Sequence, residues 1–230
     1  VPHYIGGQPR LTATGKVTNP SDGSTLAEVS MGGAADVDLA VNAAAKAFPA
    51  WAGLRPNERA ALLHRFADTL EKHAAEIAQL ESLDVGKAIA AAEAFDVPFG
   101  IQCLRYFADL STQAQYSLPL AIKNMEARTW RVPYGVCGFI FPWNFPFTLL
   151  CWGIAPALAA GNTVVVKPSE VTPLSSLFVA KLAAEAGLPP GVLNVVNGDG
   201  ANVGAALAAH RGIKRMSFTG SPEVGKKIGE

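Results

Sequence analysis

Three polar segments of this 230-residue chain could carry chemistry, and each follows a short apolar run. The first is the stretch FPWNFP at 141–146. An amide side chain between two prolines has little backbone freedom. Asn144 could therefore donate a hydrogen bond in a fixed direction, as a developing oxyanion requires. The alternative is that Asn144 caps the helix that follows, since Asn is favoured at that position.

The second segment is KPSE at 167–170. An acidic residue after a strand of a nucleotide-binding sheet commonly accepts hydrogen bonds from ribose hydroxyls. Lys167 and Glu170 could both bind the same ribose. The alternative is a solvated lysine and a glutamate near the positive end of a helix, which would contribute little.

The third segment is FTGSPEVG at 218–225. It combines the end of a strand, a glycine turn at Gly220 and a helix that opens at Ser221. Free amides at such a helix start, with the serine hydroxyl, can bind a phosphate. The alternative is a plain serine cap. The segment is not GxGxxG, so the general dinucleotide fingerprint is absent.

Composition excludes several classes of function. Half of the residues are hydrophobic and 17% are charged, as in a folded globular protein. The formal net charge is zero and the basic residues are scattered, which gives no electrostatic basis for nucleic-acid binding. Apolar runs are interrupted by Pro or Gly, so we expect no membrane-spanning segment. The histidines have no metal-ligand spacing, and we expect no metal site.

The three cysteines fit neither a disulfide framework nor a CxxC metal site. Cys103 and Cys137 lie among apolar residues and are predicted to be small core residues rather than nucleophiles. Cys151 is less clearly placed, but no histidine lies near it in sequence. This usage favours a reducing, cytoplasmic setting.

The second half of the chain alternates strand and helix patterns. This predicts an α/β fold with a parallel, Rossmann-like sheet and flanking helices. The predicted strands are 136–141, 163–167, 192–196 and 213–218, and the predicted helices between them are 145–160, 173–186 and 202–210. Ligands of such sheets bind beyond the carboxyl ends of the strands, where the three polar segments lie.

The first half carries little chemistry. Short strands and turns fill the first thirty residues, and a helical layer follows from about Asp36. One helix is predicted from Pro56 to Gly86, and another from Lys87 to about Ala114, interrupted at Pro98. We divide the chain into strands and a helical layer (1–116), a strand extension (117–132) and a Rossmann-like nucleotide-binding core (133–230).

The three motifs together resemble the aldehyde dehydrogenase superfamily. PWNFP (142–146), TVVVKPSEVTP (163–173) and FTGSPEVG (218–225) occur in the family's order and spacing. The resemblance makes Asn144 the oxyanion-stabilising amide, and implies NAD rather than NADP because the Glu170 carboxylate repels a 2′-phosphate. It assigns to the cofactor Phe141, Pro142, Trp143, Lys167, Glu170, Gly220, Ser221 and Val224, and to the aldehyde channel Phe145, Leu149 and Trp152.

The resemblance also implies what is missing. The family's ELGGK-type motif, with its general-base Glu, and its GQxC-type motif, with its nucleophilic Cys, are absent. We therefore expect a catalytically incomplete chain, truncated before the catalytic domain and prone to associate through exposed sheet surface. For the complete protein the resemblance implies oxidation of a small-molecule aldehyde through a cysteine thiohemiacetal, and a homo-oligomer built partly by 117–132. A non-catalytic NAD-binding module, or a structural or interaction protein that reuses the fold, remains the alternative.

Overall fold

The computed structural model describes residues 1–230 and contains ten strands, nine α-helices and two short π-helical segments. The strands are β1 (His3–Ile5), β2 (Gln8–Arg10), β3 (Thr14–Thr18), β4 (Thr25–Ser30), β5 (Ser117–Ile122), β6 (Met125–Trp130), β7 (Val136–Ile140), β8 (Thr163–Lys167), β9 (Leu193–Val195) and β10 (Ile213–Phe218). The helices are α1 (Ala34–Gly53), α2 (Pro56–Lys72), α3 (Ala74–Val85), α4 (Ile89–Ala91), α5 (Val97–Gln113), α6 (Pro146–Ala159), α7 (Leu174–Glu185), α8 (Ala205–Ala209) and α9 (Pro222–Gly229).

The central sheet has six strands in the order β10-β7-β8-β9-β1-β2. The first four are parallel, which confirms the predicted α/β fold with its parallel sheet. The hairpin β1–β2 joins the edge of β9 in antiparallel orientation, an extension that the sequence pattern does not predict. All residues of β7 and β8 are buried, as expected of strands covered on both faces.

The chain changes direction within the sheet between β9 and β10. β7, β8 and β9 follow one another outward, and β10 then returns to the other side of β7. Such a reversal opens a crevice beyond the carboxyl ends of the two central strands. The crevice lies between the ends of β7 and β10.

The two faces of the sheet carry different helices. Alternate residues of β7 point to opposite faces. Cys137 and Phe139 join the larger core cluster, which includes α6 and α7. Val136 and Ile140 join the smaller cluster with α1 and α8. A ligand at the carboxyl edge can therefore contact both layers.

Two predictions for the helical layer are wrong. The helix expected from Pro56 to Gly86 is divided at His73, which ends α2 and whose ring packs edge-on against Phe178 of α7. Pro98 does not interrupt its helix. A π-helical turn at Ala92–Asp96 shifts the hydrogen-bond register, so Pro98 falls in the first turn of α5, where a missing N–H is tolerated.

The hairpin β5–β6 pairs only with itself. Its two strands turn at Asn124, whose positive φ of 60° suits a tight hairpin turn. Large apolar side chains on both strands are exposed, namely Leu120, Ile122, Met125 and Trp130. Elsewhere in the chain, no helix combines the length and apolar character that a bilayer crossing needs.

Candidate functional site at the carboxyl edge of the sheet

The three polar segments leave neighbouring strands and are joined by backbone hydrogen bonds. The N–H of Phe141 donates to the carbonyl of Lys167 over 3.1 Å, and the N–H of Thr219 donates to the carbonyl of Ile140 over 3.1 Å. These bonds fix the starts of the three segments side by side. The structure therefore brings Asn144, the Lys167–Glu170 pair and Ser221 to one edge of the sheet.

Asn144 lies in an exposed loop between β7 and α6. Helix α6 begins at Pro146 with Phe145 at the N-cap position, and no side chain caps it. The alternative of a helix cap at Asn144 is therefore wrong. Its side-chain amide bonds no protein group, whereas its main-chain carbonyl accepts from Nζ of Lys87 over 3.2 Å. The amide is free to bind a ligand.

Lys167 is 3% exposed, so the alternative of a solvated lysine is wrong. Its Nζ donates to the carbonyl of Pro168 over 2.8 Å and to Oε2 of Glu170 over 3.0 Å. The Glu170 side chain remains 38% exposed. A buried cation thus orients an accessible carboxylate, and this carboxylate can accept hydrogen bonds from a diol.

Ser221 is the N-cap of α9, and its Oγ accepts from the N–H of Val224 over 3.3 Å. The cap and the phosphate interpretations are compatible, because the hydroxyl proton is still available to donate. Pro222 has no N–H, which leaves Glu223 as the free donor of the first turn. At Gly220, a Cβ atom would lie 2.4 Å from the ring of Phe218, so the close approach requires glycine.

A cavity of about 970 Å³ lies between α8 and α9. Ile140 and Phe218 line it from the strand ends, and Val224 lines it from α9. Glycine and alanine residues, including Gly204, form the α8 side. Gly204 also lies against the aliphatic stem of Lys167. A flat, uncharged ring fits such an apolar slot beside the Lys167–Glu170 pair.

A second cavity, of about 610 Å³, lies on the α6 face of the sheet. Phe141 lines it together with Leu149 and Trp152, because the alternation of β7 sends residue 141 to the α6 side. The ring of Phe141 packs so closely on α6 that a Cβ at Gly153 would lie 2.6 Å away. Phe141 thus lies among the predicted channel residues rather than in the α8–α9 cavity.

The remaining predicted residues surround the Asn144 loop. Phe145 does not line the α6-side cavity; its ring is exposed and lies 4.3 Å from Nζ of Lys87. Trp143 is exposed, and its carbonyl accepts from Oγ1 of Thr172 over 3.2 Å. Pro142 is half-buried.

Sequence reasoning missed three residues near this site. Phe95 and Phe99 stack with their centroids 5.3 Å apart, and Phe99 meets Trp152 edge-on at 6.3 Å. The spacing of four residues on a helix was a usable signal for the two phenylalanines. Lys87, which holds the Asn144 loop, has no sequence signal because it lies 57 residues away.

None of the cysteines is placed as a nucleophile. Cys137 and Cys151 are core residues, and Cys103 is half-buried. Burial raises the pKa of all three thiols, and that of Cys151 most strongly. No group of three or more His, Cys, Asp or Glu side chains is arranged to hold a metal ion.

Comparison with known proteins identifies relatives over nearly the whole chain. The model described as "Aldehyde dehydrogenase family" matches residues 8–230. Phenylacetaldehyde dehydrogenase of Pseudomonas fluorescens is 46% identical over 242 residues, covering 100% of this chain and 48% of that protein. Retinaldehyde dehydrogenase 3 of Homo sapiens is 45% identical over 215 residues, covering 92% of this chain and 42% of that protein.

Solved structures agree with this result. The NAD+ complex of aldehyde dehydrogenase from Bacillus cereus superposes with a TM-score of 0.96 at 40% identity, covering 99% of this chain and 48% of that one. The chain therefore spans about half the length of the relatives that it matches.

Proposed function

Because this chain belongs to the aldehyde dehydrogenase family, we propose that it supplies the NAD-binding part of an enzyme that oxidises an aldehyde to a carboxylic acid. One observation carries the proposal. The carboxyl ends of β7, β8 and β10 meet at the reversal of strand order, and they bring an unpaired amide, a lysine-oriented carboxylate and a helix-opening serine to one edge.

The residues at this edge suit NAD. Glu170 would accept from the adenosine ribose hydroxyls, and Lys167 would hold that carboxylate in place. The Ser221 hydroxyl and the N–H of Glu223 would bind the pyrophosphate at the start of α9. The apolar cavity beside Val224 would take the adenine ring. A negative charge at Glu170 favours NAD over NADP.

The chemistry of the chain's own residues centres on Asn144. Its Nδ2–H would donate to the aldehyde oxygen as that oxygen gains negative charge. Bound NAD supplies the acceptor for the hydride that leaves the aldehyde carbon. Phe141, Leu149 and Trp152 would exclude water from the apolar part of the aldehyde.

Two further points belong to this proposal. We expect residues 1–230 alone not to oxidise aldehydes, because burial raises the pKa of all three thiols and so disfavours the thiolate that a nucleophile needs. The aromatic lining of the α6-side cavity, and the 46% identity to a phenylacetaldehyde dehydrogenase, favour an apolar or aromatic aldehyde.

We also propose that the complete protein is a cytoplasmic homo-oligomer. The exposed apolar side chains of the β5–β6 hairpin support an interface between copies. The three free cysteines support a reducing compartment.

Nucleotide binding tests the proposal, and Glu170→Gln sharpens the test. We expect the chain to bind NAD and discriminate against NADP. Glu170→Gln should weaken NAD binding about tenfold, because a charge-assisted hydrogen bond becomes a neutral one. NADP binding should weaken less or improve, because the repulsion of the 2′-phosphate is removed. Isothermal titration calorimetry with both nucleotides measures the two constants.

Glu185→Gln is the matched control. Glu185 is another exposed carboxylate, paired with Lys181 at the end of α7 and far from the sheet edge. Its replacement should change neither constant. The absence of NAD binding by the unaltered chain would favour a structural protein that reuses the fold. If Glu170→Gln weakens the binding of NAD and of NADP equally, the assignment of Glu170 to the ribose hydroxyls is refuted.

A further inference from the structure

The Asn144 loop is held to the rest of the protein by two side chains from distant elements. Between Pro142 and Pro146, the carbonyl of Trp143 accepts from Thr172, and the carbonyl of Asn144 accepts from Lys87. The Lys87 ammonium also lies over the ring of Phe145 at 4.3 Å. The Lys87 ammonium therefore contacts both Asn144 and Phe145. The peptide between these two residues helps to set the direction in which the side-chain amide of Asn144 points.

Lys87 is itself fixed. Its backbone follows the glycine turn that ends α3, and its carbonyl accepts from Oγ of Ser82 over 2.8 Å. Its side chain is 15% exposed, and Nζ lies 2.5 Å from Oδ2 of Asp96 and 3.8 Å from Oε2 of Glu81. The ammonium thus donates hydrogen bonds to Asp96 and to the carbonyl of Asn144, and it lies within ion-pair distance of Glu81.

The anchor of Lys87 reaches the same helix that carries the loop. Asp96 is 2% exposed, and its carbonyl accepts from Oγ1 of Thr148 in α6 over 3.3 Å. Asp96 sits in the π-helical turn before α5, a feature that is frequent at functional sites. Lys87 therefore joins the Asn144 loop to a buried carboxylate tied to α6.

We propose that Lys87 is a positioning residue for the reaction, which fixes the main chain of Asn144 and so aims its amide at the aldehyde oxygen. This rests on the proposed function. A displacement of about 1 Å at a reacting group can cost roughly a hundredfold in rate. Loss of the Lys87 contact should therefore lower turnover without removing any group that touches the substrate.

The test is a double-mutant cycle in the complete gene product. We expect Lys87→Met to lower kcat roughly ten- to hundredfold with little change in KM. In an Asn144→Ala background, Lys87→Met should lower kcat no further, because the amide that it positions is already gone. If the two losses multiply in full, Lys87 does not act through Asn144 and the proposal is overturned.

Two further variants control the cycle. Lys87→Met leaves the Asp96 carboxylate buried and unpaired, which could destabilise the fold. The double variant Lys87→Met with Asp96→Asn removes both charges, so it should fold better than Lys87→Met alone and show the same loss of kcat. Arg105→Met removes another inter-element cation, which pairs with Asp68 and Glu71 on the surface. That change should leave kcat unaltered.

Hydrogen–deuterium exchange separates this proposal from the proposed function. Peptides that cover 143–149 should exchange faster in Lys87→Met, with no change in peptides from the second half of α6. Unchanged exchange would overturn the proposal. An inactive wild-type enzyme whose Lys87→Met variant shows faster loop exchange would refute the proposed function, but not the anchoring of the loop.

Discussion

Asn144→Ala is expected to lower kcat of the complete gene product by about 10²–10³-fold, the usual loss when one oxyanion donor is removed. KM should change little, because the hydrogen bond strengthens as charge develops on the aldehyde oxygen. The side-chain amide bonds no protein group, and Phe145 rather than Asn144 occupies the cap of α6. The thermal midpoint should therefore stay within about a degree or two, as for neutral surface changes. Steady-state kinetics and thermal unfolding measure both.

Asn42→Ala is the matched control for this change. Asn42 is also exposed, and its amide donates to Asp38 on α1, away from the sheet edge. Its kcat should equal that of the wild type. If Asn144→Ala keeps kcat within about threefold, oxyanion stabilisation by Asn144 is refuted, since that mechanism requires a loss of at least about a hundredfold. If it instead lowers stability by about 1 kcal/mol, the Asn144 side chain stabilises the fold rather than serving only the reaction.

Much of the parallel sheet could be predicted from sequence. Strands such as Val136–Ile140 and Thr163–Lys167 are covered on both faces, so they appear as continuous apolar runs between turn residues. Short helices between such strands leave few topologies, and all of them place the strand ends at one edge. The position of Asn144, Lys167 and Ser221 at a common edge follows from that constraint.

What escaped prediction depends on contacts between residues far apart in sequence. β1 is three residues long and pairs with β9, which lies about 190 residues later, so no local pattern identifies it. The π-helical turn before α5 has no signature in residue types. The burial of Lys87 and Lys167 could not be predicted, because burial of a cation is decided by the acceptors that the fold brings around it.

The acidic residues of α3 are the clearest example. Glu81 and Asp84 are 0% and 2% exposed, although carboxylates are seldom fully buried. Oε1 of Glu81 accepts from Oγ of Ser175 over 2.5 Å and from the N–H of Phe147 over 3.2 Å. Oδ2 of Asp84 accepts from the N–H of Leu174 over 2.9 Å. The two carboxyl groups thus accept hydrogen bonds from backbone N–H groups at the N-termini of α6 and α7.

Burial raises the pKa of Glu81 to about 7 and that of Asp84 to about 7. Ser175 and Lys87 oppose the shift at Glu81, but Lys87 lies nearer to Asp96, so desolvation outweighs the attraction. Asp84 has no cation partner, and the neighbouring Glu81 raises its pKa further. One oxygen of each carboxyl has no hydrogen-bond partner, which also favours the neutral acid.

We therefore expect the free energy of unfolding to depend on pH through these two groups. Both folded pKa values exceed the ordinary ones, so the folded state binds the protons more tightly. Their stabilising contribution is fully present below about pH 4 and is lost as pH rises through about 7. Each group should contribute a change on the order of 3–4 kcal/mol when fully ionised, at about 1.4 kcal/mol for each unit of pKa shift. Urea unfolding followed by circular dichroism, between pH 5 and pH 8, measures the loss.

Glu81→Gln and Asp84→Asn isolate the effect, because each amide keeps an acceptor for the helix N–H and cannot ionise. Relative to the wild type, both variants should gain stability as pH rises from 5 to 8. The difference between variant and wild type is the quantity to compare, since burial lowers the pKa of His3 and adds an opposite trend to every curve. Glu185→Gln, at an exposed position paired with Lys181, should remain parallel to the wild type. If the Glu81→Gln and Asp84→Asn curves also remain parallel to it, the two carboxyls are already ionised at pH 5 and the expected pH dependence is refuted.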